Sequence, residues 1–305
     1  MVIDTLLQIL VTGFPICAIL AVVSLGFNLT FGVSGIANFA YGAIYIVAGF
    51  FSWALLGNVA EPLFGENAKF LLSFFTGGAA IILAALFGLL LYWVILVRLR
   101  GLILSQVIAT FAVGLALIEG LQTAVLSQVQ VKLPDAMDSA YLVLGQPVYH
   151  QYLYICIGAV GLTLFSWWFT RHTKLGLAFR AIAQDEATAL TLGINADRVA
   201  AMSVAFGSAY IALAAVLVLP GQGDIIQQHG YEVLINALAV CIVGGLGSTA
   251  GVIVAALLIG YAQTAAATLL GAHWTMIISL VAILAVLVVK PSGLFGRHKE
   301  LEERI

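Results

Sequence analysis

The sequence predicts an all-α integral membrane protein, a polytopic helical bundle with eight full spans and two short or broken helices. Three observations carry that prediction. Of 305 residues, 63% are hydrophobic and only 9% charged, and mean hydropathy is +1.12. A soluble domain carries about 25% charged residues because its surface faces water, so lipid must surround most of this chain. Apolar runs of the ~20 residues needed to cross a ~30 Å hydrocarbon core recur along its whole length. Lys and Arg gather in a few of the polar gaps between those runs.

The full spans, in order, are Thr5 to Leu25, Gly42 to Gly57, Phe70 to Val97, Leu102 to Leu126, Gln151 to Phe169, Val199 to Leu219, Thr249 to Leu270 and Trp274 to Val289. The first lacks a basic leader and a small-x-small cleavage site, so it reads as a retained span and not a signal peptide. Two shorter, glycine-punctuated stretches lie around Phe27 to Ala40 and Val233 to Gly247. At 1.5 Å per residue, ~15 residues cover only ~22 Å, which makes each a short or broken crossing.

Charge sets the orientation. If both short stretches cross, Arg98, Arg100, Arg171, Lys174, Arg180, Arg198, Lys290, Arg297, Lys299 and Arg304 share one side, leaving Lys69 and Lys132 opposite. The first group is then cytoplasmic, and an even number of crossings puts both termini there. Under this count, a long span, a broken segment and two spans describe residues 5–97 and again 199–289. Matched interruptions in two halves of a transporter point to the substrate path.

The first interrupted segment carries Asn28, Thr30, Ser34, Asn38 and Tyr41, followed by Gly42. Polar groups at membrane depth must face protein or water, because leaving them unpaired in hydrocarbon is costly. The second, Gly244-Gly245-Leu-Gly247-Ser248-Thr-Ala-Gly251, discourages a regular helix, since each glycine costs roughly 1 kcal/mol relative to alanine. Both clusters are candidates for the translocation path; close helix packing through small residues is the competing explanation. Glu119 is the one acid well inside a long span, near its outer end, and joins the candidates on that ground.

Residues 173–197 form the most informative polar stretch. Thr173 to Asn195 is rich in Ala and Leu, hence helical by propensity, with Gly193 as its stop. Arg180, Asp185 and Glu186 lie on a helix too short to span and too polar for a core. It carries few Lys or Arg for a lipid-surface anchor, so a docking element for a cytoplasmic partner fits better.

Other chemistry finds little support. Cys17, Cys156 and Cys241 lie in apolar runs without paired spacing and read as packing residues. No zinc-type His-Glu-x-x-His occurs, no metal-ligand cluster is evident, and the net charge of −2 with no basic tract argues against nucleic acid. Gly32-Val-Ser34-Gly35 matches the Gly-x-Ser-Gly of intramembrane serine proteases. Such a serine needs a histidine base at its own depth, and His150, His172, His229, His273 and His298 all fall at span ends or in loops. No Walker-type phosphate loop is present, so any ATPase must be another polypeptide.

The ordered segments resemble a known family. Gly32-Val-Ser-Gly-Ile-Ala-Asn38-Phe-Ala-Tyr41-Gly42, Ser105 to Gly114, Thr173 to Asn195, Gly244 to Ser248 and Lys290-Pro-Ser-Gly-Leu-Phe-Gly296 together resemble the branched-chain amino acid type of ABC importer permease, within it the LivH-like subunit. Two departures stand out. Tyr41 replaces a frequent histidine, and Glu186-Ala187 precedes Gly193 by seven residues, not the six of the general importer motif. The resemblance implies a single permease domain over 1–305 in a bacterial inner membrane, alternating access for branched-chain or hydrophobic amino acids. Urea or short amides are the alternative cargo. It also implies a second homologous permease, two ATPase subunits carrying ATP and Mg, and a periplasmic binding protein meeting outer loops near 58–69, 128–149 and 220–230. This chain itself would bind no cofactor. The coupling loop 173–197 would contact the ATPase through Arg180, Asp185, Glu186, Ala187, Gly193 and Asn195.

Overall fold

The computed structural model describes residues 2–57, 69–126, 140–143, 146–221 and 225–296. Its elements are α1 (Val2–Ser34), α2 (Tyr41–Leu55), α3 (Lys69–Val94), a 3-10 turn (Leu96–Leu99) and α4 (Ile103–Leu121), which ends in a wide turn (Gln122–Leu126). A two-stranded hairpin follows, β1 (Ala140–Val143) antiparallel to β2 (Gln146–Tyr149) with Ala140 opposite Tyr149. Then come α5 (His150–His172), α6 (Lys174–Gln184), α7 (Glu186–Thr191), α8 (Ala196–Val218), α9 (Gln227–Gly244), α10 (Thr249–Leu269) and α11 (Trp274–Val289). The hairpin lies in the expected outer loop 128–149, and residues 227–230 of the expected loop 220–230 open α9; residues 58–68, 127–139, 144–145 and 222–224 lie outside the described residues, as does the tail from 297.

The all-α bundle holds. Among the described residues six helices are long and apolar enough to cross a membrane, and α2 and α11, both expected as full spans, are shorter apolar helices. The stretch Phe27 to Ala40 is not a crossing of its own, because residues 27–34 continue α1 without a break. Nothing there stops a helix until Gly35, whose φ of +69° ends it. The stretch Val233 to Gly247 is the second half of α9, an 18-residue helix with a polar start. With residues 27–34 absorbed into α1, the four-element repeat of 5–97 and 199–289 loses its second member in the first half.

Gly13 of α1 packs on Tyr261 and Thr264, late in α10, whereas Gly32 meets Gly247 just before α10 begins. Gly245 in turn contacts Gly296. The start of α1 and residues 290–296 therefore lie at opposite ends of the bundle.

Alpha1 and α8 form the centre, with α10 and α3 packed beside them. Close approach needs missing side chains: a Cβ on Gly207 of α8 would lie 2.9 Å from the Gly26 carbonyl of α1. Alpha11 is the opposite case. Ser279 is its one buried residue, and Leu284, Val288 and Val289 are widely exposed, as lipid-facing positions are. Its seat is polar: Gln263 Nε2 donates to Asn236 Oδ1 at 3.0 Å and to Ser279 Oγ at 2.6 Å, and Ser279 Oγ donates to Asn236 Oδ1 at 2.7 Å.

Candidate functional site

The two interrupted segments meet. Asn28 is buried in α1, and its Oδ1 accepts a hydrogen bond from the Gly247 N–H at 2.8 Å. Four residues on, one helical turn, a Cβ on Gly32 would lie 2.9 Å from the Gly247 Cα. Gly247 adopts a φ of +85°, which favours glycine, and Ser248 then caps α10 by accepting from the Gly251 N–H at 3.1 Å. Gly244 closes the other side: a Cβ there would sit 2.6 Å from the Gly251 carbonyl carbon. The closing stretch lies across this turn, with the Leu294 N–H on the Val243 carbonyl at 2.8 Å and the Phe295 N–H on the Gly244 carbonyl at 3.1 Å. Gly245 and Gly293 touch backbone to backbone. The result is a seam of main chain on main chain.

The break between α1 and α2 is buried in the bundle. Backbone groups freed there need partners, since hydrocarbon offers none. The Phe39 N–H donates to Thr110 Oγ1 on α4 at 3.1 Å, and the Ala40 N–H to Asn38 Oδ1 at 3.0 Å. The Asn38 side-chain nitrogen has no hydrogen-bond partner among the described residues. Tyr41 opens α2 fully buried, its hydroxyl bonded to Thr30, which also donates to the Ser203 carbonyl of α8 at 3.1 Å. Ser34 Oγ donates to the Thr30 carbonyl at 2.8 Å, as helical serines do. Gly42 lets α9 approach: a Cβ on Gly230 would lie 2.7 Å from the Gly42 carbonyl oxygen.

Glu119 stands apart from this seam. It is exposed late in α4 and accepts from Gln227 Nε2, at the start of α9, at 2.7 Å.

The polar stretch folds as two short helices at the same end of the bundle as the seam. Thr173 caps α6, accepting from the Gly176 N–H at 2.9 Å. Asp185 leaves the helix in an extended conformation and caps α7, accepting from the Thr188 N–H at 3.2 Å and the Thr188 hydroxyl. The Thr188 hydroxyl, then its N–H, holds the Asp185 carboxyl below its ordinary range. Gly193 turns the chain at a φ of +81°, and Asn195 caps α8 by accepting from the Arg198 N–H at 3.0 Å. Phe179 and Ile182 anchor α6 through apolar contacts, while Arg180 and Ala187 are exposed and so are Leu190 and Leu192.

Three functional candidates escaped sequence reasoning. Arg100, in the turn before α4, pairs with Glu186 and with Asp197 at 2.6 Å, and Tyr92 donates to the same Asp197 oxygen at 3.0 Å. These partners are scattered along the chain, so no local pattern shows them. Ser34, Tyr92, Arg100, Gln106, Gln184 and Asp185 line a cavity of about 530 Å³ at this end. Among the described residues, no group of His, Cys, Asp or Glu is arranged to hold a metal ion.

The family model described as "Branched-chain amino acid transport system / permease component" matches residues 9–287. The "High-affinity branched-chain amino acid transport system permease protein BraD" of Pseudomonas aeruginosa is 29% identical over 95% of this chain and 96% of its own. The "High-affinity branched-chain amino acid transport system permease protein LivH" of Escherichia coli (strain K12) is 26% identical over the same shares. A "Probable branched-chain amino acid transport permease protein LivH" of Methanocaldococcus jannaschii is 26% identical over 91% of this chain and 89% of its own. No solved structure matches the chain.

Proposed function

The chain belongs to the family of branched-chain amino acid transport system permease components, and from that premise we propose how its parts divide the work. It is the permease subunit of an ATP-binding-cassette importer, with branched-chain amino acids as cargo. The observation that carries this is the family match over residues 9–287, which takes in the contact of Asn28 and Gly32 with Gly247 and the α6–α7 segment together. The relatives are named for branched-chain amino acids, which favours that cargo over urea or short amides.

In this reading the α6–α7 end faces the cytoplasm of a bacterial inner membrane. Arg98, Arg100, Arg171, Lys174, Arg198 and Lys290 lie at helix ends or turns there and Arg180 lies within α6, as the positive-inside rule requires. The start of α1 then faces outward. Alpha6 and α7, with Arg180, Asp185, Glu186, Ala187 and the turn at Gly193–Asn195, dock on the two ATPase subunits, which carry ATP and Mg. A second homologous permease completes the path and a periplasmic binding protein delivers the solute. The segment suits docking because its helices are capped and anchored from beneath while Leu190 and Leu192 stand exposed at its tip. Asn28, Ser34, Asn38, Tyr41, Gly42, Gly244, Gly245, Gly247 and Ser248 border the moving parts of the path, with Glu119 at its outer mouth.

The test is the double variant Asp185→Lys with Glu186→Lys in the assembled importer. Uptake of leucine into proteoliposomes is expected to fall roughly a hundredfold, about 2.7 kcal/mol of lost coupling, while membrane insertion persists. Normal uptake by this variant would refute the docking role.

A further inference from the structure

Arg100 holds two carboxylates from two different helices. Glu186 is the first residue of α7 and Asp197 lies in the first turn of α8, so each acid already sits at a helix N-terminus, where negative charge is favoured. Tyr92, near the end of α3, joins through Asp197. One guanidinium thus ties the α3–α4 turn to the docking segment and to the start of the central helix α8. Desolvation works against the charge of Arg100, but the Asp197 and Glu186 carboxylates outweigh it and raise its pKa further.

Such pairs do little to hold the fold. The Arg100 and Glu186 side chains are 47% and 51% exposed, and ion pairs this wet contribute little stability. What the fork of a guanidinium does well is fix geometry, because its planar donors accept two partners in set directions. Behind it lies the 530 Å³ cavity, walled by Ser34 at the end of α1 and Gln106 in the first turn of α4. A displacement of α7 therefore reaches that wall through Arg100.

We propose that Arg100 is a transmission strut: it carries movement of α7 to the α3–α4 elbow, and so to the cavity wall formed by Ser34 and Gln106. This rests on the docking role of α6–α7 given above. Arg100 touches no solute in this account; it is a positioning residue. Its value lies in coupling, not in stability.

The test uses the whole importer, with partner permease, ATPases and binding protein in proteoliposomes, and reads solute taken up per ATP hydrolysed. Arg100→Gln and Glu186→Gln are each expected to lower that ratio roughly tenfold, and the double variant to be no worse than either, the non-additivity of residues acting as one unit. Arg100→Lys, which keeps the charge but loses the fork, is expected to stay low. Additive losses would overturn the strut, because Glu186 would then act through another contact. Full coupling in Arg100→Lys or Arg100→Gln would overturn it as well. Co-purification of the ATPases separates the two readings: if Arg100→Gln sheds them, the residue serves docking and not transmission. Normal uptake with Asp185→Lys and Glu186→Lys defeats docking itself.

Discussion

The glycine seam and the Arg100 clasp lie at the same end of the molecule and join distant parts of the chain by opposite means. In the seam, Asn28, Gly32, Gly244, Gly247 and Gly296 bring main chain against main chain, with hydrogen bonds and no charge. In the clasp, long side chains reach across a half-exposed gap. Backbone contacts this close leave little slack, since main chain cannot swing aside as a side chain can. An exposed ion pair adds little stability, yet the guanidinium fork sets the direction of its two partners. The seam is suited to being a fixed joint, and the clasp to carrying motion past it.

That contrast can be broken most forcefully at Gly244. Gly244→Val drives a branched side chain into the Gly251 backbone, which cannot swing aside, and the expected cost exceeds about 3 kcal/mol. Little folded protein should survive in detergent, as read by the size-exclusion profile; a monodisperse valine variant would show that the seam has slack. Asn28→Ala is gentler. It leaves the exposed Gly247 N–H to water, for about 1 kcal/mol, and should lower the melting temperature slightly. An unchanged melting temperature would show that this bond does not hold the seam.

The smallest expected effect concerns Asp185, whose carboxyl is held low in the folded chain by Thr188. Its folded pKa lies below the unfolded value, so its contribution is complete above the ordinary carboxylate range near 4. The contribution fades as pH falls through the lowered value. Amide exchange in residues 186–191 should therefore quicken in acid beyond its intrinsic rate, and Asp185→Ala should show the quickened exchange already at neutral pH. Unaltered exchange in Asp185→Ala would mean that α7 owes its order to packing.

Much of this was legible in the sequence. Composition alone places the chain in lipid, and the breaks fall where glycine clusters put them, at 35–40 and 245–248. The helical reading of 173–195 holds in part: the sequence reads one helix stopped at Gly193, and the extended Asp185 divides it in two. The length of α1 did not: residues 27–34 hold Asn28, Thr30 and Gly32, which look unsuited to a long helix, yet α8 and the 247 turn satisfy their polar groups. Tertiary partners override propensity there. The expected segment from Phe27 thus starts eight residues ahead of the observed break at Gly35, and from that came the extra crossing and the repeat. The clasp was hidden for a different reason. Arg100 served only as one charge among many in the orientation count, because Glu186 and Asp197 lie 86 and 97 residues away. Nothing local announces such a pair.

The polar seat of α11 bears on how the molecule is built. The last helix is apolar nearly all round, so on leaving the ribosome it can rest in lipid with no neighbour. Oily contact gives it no reason to leave, since lipid tails are as apolar as leucine. In lipid the Ser279 hydroxyl has only the carbonyls of its own helix, whereas Asn236 and Gln263 offer it side-chain partners. Seating α11 is thus a recruitment step, in which Asn236 and Gln263 draw a lipid-stable helix in through its one buried hydroxyl.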